Sequence, residues 1–290
     1  MHKVAVITRT LNRERTLARA FESVRSQTMK DFVWIVVNDG GDKAPVDEIV
    51  NKAVAAGIAV TVIHHDRSHG MEAASNIGIR AGSSRYVVIH DDDDTWRPDF
   101  LDAVTDLLDR QPGHAGAISH TTIVSERITP DAIVGIGRAP HRPGLNAIHL
   151  ADMARANLFH PIAFVYRRDL YDRIGGYDET MNVLGDWDFN LRMLMEGDIA
   201  VVPKALANYH VRPHRADRAD PYANTVVASL PDHTESDAAF RNRHIRRDIA
   251  TGTPGLGMLL ALGRLQSKAS TTAGPSTFRK VVQRLKGIPR

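Results

Sequence analysis

Four aspartates in a row, Asp91, Asp92, Asp93 and Asp94, follow the apolar run YVVI and a histidine in the segment HDDDDTWRPD. Adjacent carboxylates repel one another, and in a compact fold they stay ionised together only beside a cation or strong hydrogen-bond donors. Ligands that are all oxygen suit Mg2+ or Mn2+; magnesium takes one or two protein carboxylates and completes its shell with water and phosphate. The plainer alternative is a solvated acidic turn ahead of a helix near Pro98, and the place at a strand end favours the metal. A second acidic group, Gly185-Asp186-Trp187-Asp188, opens an amphipathic segment. A helix N-terminus holds a carboxylate ionised, which suits Asp186 to general-base work; capping is its plainer role. Asp39, in the turn Asn38-Asp39-Gly40-Gly41, is either a turn aspartate or a ligand contact.

These residues need elements to position them. Residues 3–8, 32–37, 58–63 and 86–90 are short apolar runs that read as strands, alternating with helices over 12–27 (Asn12 as its cap), 46–56 and 71–81. Continuous rather than alternating apolar strands belong to a parallel sheet covered on both faces, and strand–helix alternation gives a doubly wound α/β fold. Ligands bind such a sheet at the carboxyl ends of its strands. Here those ends are Thr8-Arg9-Thr10, Asn38-Asp39 and Asp91–Asp94, all polar or acidic. The second half is less regular. It reads as a helix over 99–110, one or two strands within 115–128 and a helix over 145–157. A strand over 162–166 follows, then a short helix over 168–174 stopped by Gly175-Gly176, a helix over 187–195, and short strands at 199–202 and 205–211. Beyond Arg212 the chain turns polar, with linker-like stretches at 251–257 and 269–275.

Composition sets the outer bounds. A chain of 290 residues, 43% of them hydrophobic, is long enough to bury a core, which excludes global disorder. It has no cysteine, which excludes disulfides, thiolate nucleophiles and cysteine zinc sites. The most apolar stretch, LGMLLALG at 256–263, is far short of the roughly 18 residues a spanning helix needs. The first residues read as a strand rather than a secretory signal, so the expected compartment is the cytoplasm. No acidic residue follows Asp248, whereas seven basic ones do. Residues 1–251 therefore hold 30 basic against 34 acidic side chains, which argues against a nucleic-acid surface on the body. Phe278, Val281, Val282 and Leu285 recur at helical spacing opposite Arg279, Lys280 and Arg284. Such a tail can lie peripherally on the anionic inner face of a membrane, or pack on the body or a partner subunit.

The ordered set of motifs resembles glycosyltransferase family 2, with its GT-A fold. VAVITRTLNRERTLARAFESVRSQT resembles the family's opening strand and helix, WIVVNDGG its strand ending in Asp-Asp-Gly-Ser, and GMEAASNIGIRAGSSRYVVIHDDDDTWRPDFL the segment carrying the DxD metal motif. FVYRRDLYDRIGGYDE followed by GDWDFNLRM resembles the acceptor-side segment ending in Glu-Asp. The resemblance spans about residues 3–212 and implies a Rossmann-like, mostly parallel sheet with helices on both faces and a C-terminal extension. It divides the chain into a nucleotide-sugar-binding half (1–112), an acceptor-binding and catalytic half (113–215) and an extension with a basic amphipathic tail (216–290).

The resemblance also assigns roles. Asp39 would bind the nucleotide base, with Thr8 and Arg9 lining the same pocket. Asp93 would hold Mn2+ or Mg2+ and Asp91 or Asp92 the ribose, the register within the run being open by one. Asp186 would be the catalytic base of an inverting, metal-dependent transfer. Gly176 would form the tight turn near sugar and acceptor, with Trp187 beside it; core packing is the plainer role of Trp187 and of Trp96. His210 and His214 are the candidates for a late histidine metal ligand, whereas His64, His65, His69 and His90 read as parts of polar loops. The donor would carry UDP, GDP or dTDP, with UDP favoured by frequency alone, and the hydroxyl acceptor could be lipid-linked; a homo-oligomer is open. Two positions depart from the family pattern: Gly185 stands where the family has Glu, leaving the base one acidic neighbour short, and Asn38 replaces the first Asp.

Two other readings compete. Asp91-Asp92-Asp93-Asp94-Thr95 also fits the DxDxT motif of haloacid-dehalogenase-type phosphatases, with Asp91 as nucleophile. That motif normally follows the first strand, and here no lysine lies between Lys52 and Lys204 to serve the phosphatase. The other is a sugar-nucleotide-binding protein without catalysis.

Overall fold

The computed structural model describes residues 1–212, 220, 222, 223 and 230–270. His214 and the basic segment 278–285 lie outside them. The chain alternates strand and helix through β1 (His2–Thr10), α1 (Glu14–Arg25), β2 (Phe32–Asp39), α2 (Lys43–Ala55), β3 (Ala59–His65), α3 (Met71–Ala81) and β4 (Ser84–Ile89). It continues through β5 (Thr95–Trp96), α4 (Phe100–Arg110), β6 (Gly116–Ile128), β7 (Ile133–His141), α5 (Leu150–Arg155), β8 (Phe164–Arg167), α6 (Arg168–Ile174), α7 (Gly185–Glu196) and β9 (Ile199–Val211). Two further helices, α8 (Leu230–Thr251) and α9 (Leu256–Ser270), follow.

One sheet runs β3-β2-β1-β4-β8-β6-β9-β5, with β7 beside β6. The four strands of the first half are parallel; β8 runs antiparallel to β4 and β6, β9 runs parallel to β6, and the short β5 pairs antiparallel with β9. The apolar runs serve two cores by simple alternation. Val4, Val6, Trp34, Val36 and Val88 face α1, α2 and α4 through Leu17, Phe21, Ile49 and Phe100. Ala5, Ile7, Ile35, Val87 and Ile89 face α3, α6 and α7 through Ile79, Tyr171 and Phe189. A strand buried on both faces has no position that must be polar, which is why these sequences read as unbroken apolar runs.

The Asn-x-Gly-Ile stretch of α3 explains itself in three dimensions. A Cβ on Gly78 would stand 2.6 Å from Ile7 Cγ2 and 3.0 Å from Val37 Cγ2, so the missing side chain lets α3 lie close on β1 and β2. One turn earlier, Asn76 is buried. Its Oδ1 accepts from the Tyr177 backbone N–H (2.9 Å) and the Tyr171 hydroxyl (2.7 Å), and its Nδ2 donates to the Tyr177 carbonyl (2.9 Å). That pins the Gly175–Gly176 turn, where both φ angles are positive, to α3.

Several expectations need correction. Asn12 does not cap α1: it has φ +53° and its side chain accepts instead from the Asp42 N–H at 2.9 Å, tying the end of β1 to the end of β2. The helix expected over 145–157 shrinks to α5, because the preceding stretch runs irregularly past His120, whose ring meets the Leu145 carbonyl at 2.8 Å. The two strands expected at 199–202 and 205–211 are one strand, β9, with its register against β6 shifted near Pro203. The one or two strands expected in 115–128 are β6 alone. β7 and α8 had no strong apolar pattern to announce them: β7 is a half-exposed edge rich in glycine, and α8 is a largely polar helix.

Gly78→Val forces two buried methyl contacts apart. It should cost about 1–3 kcal/mol of stability, the range for overpacking a core, read from urea denaturation at neutral pH; a loss below about 0.5 kcal/mol would show that α3 does not depend on this approach.

Candidate active site

The polar strand ends converge as the strand order requires. β1 supplies Arg9 and Thr10, β2 supplies Asp39, the turn after β4 supplies Asp91–Asp93, α3 supplies Glu72 and α7 supplies Asp186. Together they line a cavity of about 610 Å³ at the carboxyl edge of the parallel strands. His160 and Tyr209, their rings stacked 3.9 Å apart, line it too.

The aspartate run alternates. Asp91 and Asp93 are half-buried and Asp92 and Asp94 are buried, in a turn closed by the Asp94 N–H donating to the Asp91 carbonyl at 3.2 Å. Arg9 pairs with Asp91. Arg13 reaches Asp92 at 3.2 Å and Asp93 at 3.5 Å. Arg212, 1% exposed, pairs with Asp93 and with Glu126 (2.9 Å). Arg19 pairs with Glu126 at 2.6 Å and donates to the Asp93 carbonyl. Five carboxylates thus face four guanidinium groups. Burial works to raise Asp93, but Arg212 and Arg13 outweigh it and hold this carboxyl at about 2. Glu126 is also held at about 2, with hydrogen bonds from His210 and Arg19 overcoming burial. Asp92 and Asp94 go the other way. Burial pushes Asp92 up to about 6 against the pull of Arg13, and burial together with Asp93 and Asp91 raises Asp94 well above the ordinary range. Asp92 Oδ2 and Asp94 Oδ2 are buried without a hydrogen-bond partner.

Does this set fit a divalent cation? Its donors are carboxylate oxygens, it holds one carboxylate more than it has guanidinium groups, and two of its buried oxygens are unpartnered. Those features fit an ion that needs one or two carboxylates and draws its other ligands from phosphate and water. Among the described residues no three His, Cys, Asp or Glu side chains converge to form a complete protein cage.

Asp186 faces the same cavity from the first turn of α7. Its Oδ1 accepts from the Trp187 N–H (2.8 Å) and its Oδ2 from the Asn157 amide (2.7 Å), and Asn157 in turn accepts from Asn190 (3.1 Å). The capping position of α7 belongs to Leu184, in the left-handed region at φ +66°, so Asp186 is not a cap. Burial pushes its carboxyl up to about 6, Asp91 adds to the rise, and the Trp187 N–H, Arg9 and Asn157 restrain it. A carboxyl near 6 is mostly ionised at neutral pH yet basic enough to take a proton.

Other expected residues sit elsewhere. Thr8 does not reach the cavity: it is fully buried one pleat deeper, where its hydroxyl accepts from the Trp34 indole N–H at 2.8 Å. Trp187 is a core residue, 3% exposed, donating to the Met153 carbonyl (2.7 Å) and packed on Phe240 and Arg241 of the C-terminal extension. Gly176 forms the expected tight turn, with its space filled by Asn76 and Tyr171, and it is the next residue, Tyr177, that lines the cavity. Asp39 stands at the cavity with both oxygens engaged by the Ser68 hydroxyl, the His65 ring and the N–H groups of His69 and Gly70. Burial opposes ionisation there, and those four donors still hold the carboxyl below its usual range. The ring nitrogens of His210 are committed to Glu126 (2.7 Å) and Thr95 (3.0 Å), so the structure does not bring it to the aspartates as a ligand. His90 is buried and pushed down to about 3 by burial; it meets the Asp91 carbonyl at 3.0 Å and supports the run as a neutral ring.

Sequence reading missed Arg13, Arg19 and Arg212, which neutralise the run, Glu126, the further carboxylate that Arg19 and Arg212 share with it, and Glu72 and Asn157, which flank Asp186. The one visible signal was the density of arginine in TRTLNRERTLAR, directly after the first strand.

The sequence profile of glycosyl transferase family 2 matches residues 5–175, well over half of the chain. The chain belongs to this family. An uncharacterized glycosyltransferase of Bacillus subtilis, YwdF, is 27% identical over 208 residues, 71% of this chain and 74% of that one. The PGL/p-HBAD biosynthesis glycosyltransferase of Mycobacterium bovis is 28% identical over 192 residues, 65% and 68% of the two chains. Among solved structures, residues 1–349 of S. aureus TarS in complex with UDP superpose with a TM-score of 0.59 at 19% identity, over 73% of this chain and 61% of that one. The mannosyltransferase PcManGT from Pyrobaculum calidifontis, in complex with GDP-Man and Mn2+, superposes with a TM-score of 0.57 at 15% identity, over 98% and 79%. These likenesses place the fold among GT-A glycosyltransferases. The family-2 assignment identifies an enzyme, a glycosyltransferase, and overturns the phosphatase reading of Asp91 and Asp93.

The two kinds of carboxyl predict opposite pH effects on this glycosyltransferase. Asp93 and Glu126 lie below their ordinary values, so the stability they contribute is present above about pH 4.5 and is lost as the pH falls toward 2. Asp186 lies above its ordinary value, so the stability of its protonated form is present below about pH 4 and is lost as the pH rises through about 6. Asp186→Asn should therefore raise stability at pH 8 by roughly 1–2 kcal/mol, with part of the shift screened at the cavity mouth, and leave it unchanged at pH 4. Arg212→Gln should lower stability at pH 7 by about 3–5 kcal/mol, since it removes a buried guanidinium shared by Asp93 and Glu126 and leaves each with one arginine, Arg13 or Arg19. Thermal denaturation across pH reads both.

Proposed function

We propose that this glycosyltransferase moves a sugar from a nucleoside-diphosphate donor to a hydroxyl acceptor in one displacement, with inversion, and that Asp186 is the base. The observation that carries the reading is the meeting of two distinct acidic groups on one cavity: the arginine-laced run Asp91–Asp93, and Asp186, held by Asn157 and raised to about 6. Residues 1–112 supply the donor side, residues 113–215 the acceptor side and the base, and residues 216–290 the extension.

The acceptor hydroxyl gives its proton to Asp186 as its oxygen bonds to the anomeric carbon. The bond from that carbon to the diphosphate oxygen breaks on the opposite face, and the nucleoside diphosphate leaves with the electron pair. No covalent sugar–enzyme bond is needed. Positioned proton transfer of this kind contributes about 10²–10⁴ in rate. Arg13, at the cavity wall, places positive charge near the phosphates. Mn2+ or Mg2+ held by Asp93 would supply further neutralisation of the leaving group. Asp91 rather than Asp92 takes the ribose, a reading supported by the burial of Asp92. Asp39 orders the segment 68–70 that borders the base pocket. TarS and PcManGT, named with UDP and GDP-Man, support a uridine or guanosine donor.

No helix among the described residues is long and apolar enough to cross a membrane. Helix α9 presents Met258, Leu262 and Leu265 to solvent at i, i+4 and i+7, in the part of the chain that carries only basic charge. This stripe supports peripheral contact with an anionic bilayer, where a lipid-linked acceptor would lie.

Melting curves with UDP, GDP and dTDP, each with Mn2+ and with EDTA, test the donor side. One nucleotide should raise stability in a metal-dependent way, by about 2.7 kcal/mol at a hundredfold excess over Kd, and Asp93→Asn should abolish the metal's share. No stabilisation by any nucleotide would defeat the donor assignment. On the acceptor side, Asp186→Asn should lose about 10²–10⁴ in kcat with donor affinity kept; near-wild-type transfer would remove Asp186 as the base. Co-sedimentation of the full chain with phosphatidylglycerol vesicles should fall on Leu262→Glu, and equal binding by both proteins would end the membrane reading.

A further inference from the structure

Position 185, directly before the base, is glycine without a backbone reason. Gly185 is helical and does not have a positive φ. What excludes a side chain there is Glu72. A Cβ on Gly185 would fall on Glu72 Oε1 and within 2.6 Å of its Cγ and 2.8 Å of its Cδ. Glu72 comes from the first turn of α3, more than a hundred residues away in sequence. An acidic residue in a first turn ordinarily complements the helix dipole from solvent. Glu72 is instead 7% exposed, lines the cavity and takes part in no ion pair among the described residues.

We propose that Glu72 is the second carboxylate of the transfer centre: a positioning residue that occupies the space beside Asp186 where a side chain at 185 would stand, and that keeps Asp186 a strong enough base. The proposal rests on the reading of Asp186 given above.

The charged and titratable groups around the pair come from four elements. Asp186 belongs to α7, Arg9 to β1, Asp91 to the turn after β4, and Tyr177 to the turn pinned by Asn76. Arg9 spends its guanidinium on Asp91, on the Ser75 hydroxyl (3.0 Å) and on the Met71 carbonyl (3.2 Å), so it bridges the aspartate run to the very turn that carries Glu72. Burial pushes Glu72 up to about 7; Arg9 opposes this, and Asp186 and Asp91 add to it. Two carboxyls with values this close titrate as a pair: the Asp186 charge holds Glu72 up, and Glu72, once ionised, repels the Asp186 carboxylate in turn. An Asp186 without this neighbour would ionise more readily and bind the acceptor's proton less well.

The steric exclusion supplies the test. Glu72→Gln keeps the shape and removes the charge. Gly185→Ala keeps the charge and displaces it. Glu72→Ala/Gly185→Glu returns a carboxylate from the other side. The Asp186 carboxyl is followed by 13C NMR in the full-length, carboxyl-labelled protein, with Asp186→Asn assigning its resonance. Turnover of UDP-GlcNAc and of GDP-mannose is followed across pH by nucleoside diphosphate release.

Glu72→Gln and Gly185→Ala should each lower the pH at which Asp186 titrates by about one pH unit. They should move the acid limb of kcat/KM down with it and lower kcat on the plateau with KM for the donor little changed. The double substitution should move the limb back toward the wild-type position. An Asp186 titration unchanged in Glu72→Gln would overturn the proposal, as would a limb that the double variant leaves displaced. The titration needs no turnover. If neither donor is consumed by the wild type and the carboxyl still responds, Glu72 stands as Asp186's partner while the transfer reading has to be revised.

Discussion

Placing consecutive aspartates at the inner end of a strand creates a charge problem that the surrounding chain is arranged to meet. Asp91–Asp94 and Glu126 bring five carboxylates into a site with little water, and isolated buried charges of that kind are too costly to keep. The compensating guanidiniums arrive from separate parts of the chain: Arg9 on β1, Arg13 and Arg19 around α1, and Arg212 just past β9. Each can reach only if the strands β4, β1, β6 and β9 stand in their observed order. Fold and site are in this sense one constraint. Sheet order is what makes the acidic run tolerable, and the acidic run with its arginines is what gives the cavity its charge.

The same low-water setting separates the carboxyls by task. Where charged and hydrogen-bonding partners outweigh burial, as at Asp93 and Glu126, the carboxylate stays firmly ionised and anchors the network. Where burial wins and the partners are amides and carboxyls, as at Asp186 and Glu72, the groups rise toward neutrality and become fit to exchange a proton. Both kinds line one cavity. Paired titratable groups whose surroundings push them in opposite directions are the ordinary mark of acid–base chemistry.

Asn76 and Gly78 on α3 join the two halves of the domain. Gly78 brings the helix down on β1 and β2, and Asn76 uses that closeness to hold the Gly175–Gly176 turn, which delivers Tyr177 to the cavity. The N-terminal turn of the same helix carries Glu72 against Gly185, beside Asp186. One helix thus sets the distance between the parallel strands and the irregular second half.

The local sequence by itself determined the parallel half of the sheet, the polar strand ends and the identity of the acidic motifs. It could do so because buried parallel strands are apolar throughout and because a carboxylate cluster is unusual wherever it falls. The half-exposed edge β7 and the polar helix α8 left no such trace, since neither buries a continuous apolar face. Nor could local sequence show that Thr8 and Trp187 turn into the core, because one pleat or a fraction of a helical turn decides which way a side chain points. The pairing of Arg212 with Asp93 and the fit of Glu72 against Gly185 were decided only in three dimensions. Both join residues more than a hundred positions apart, so no spacing along the chain encodes them: the charge that makes the aspartate run tolerable and the carboxylate that flanks Asp186 come into place only when the sheet closes.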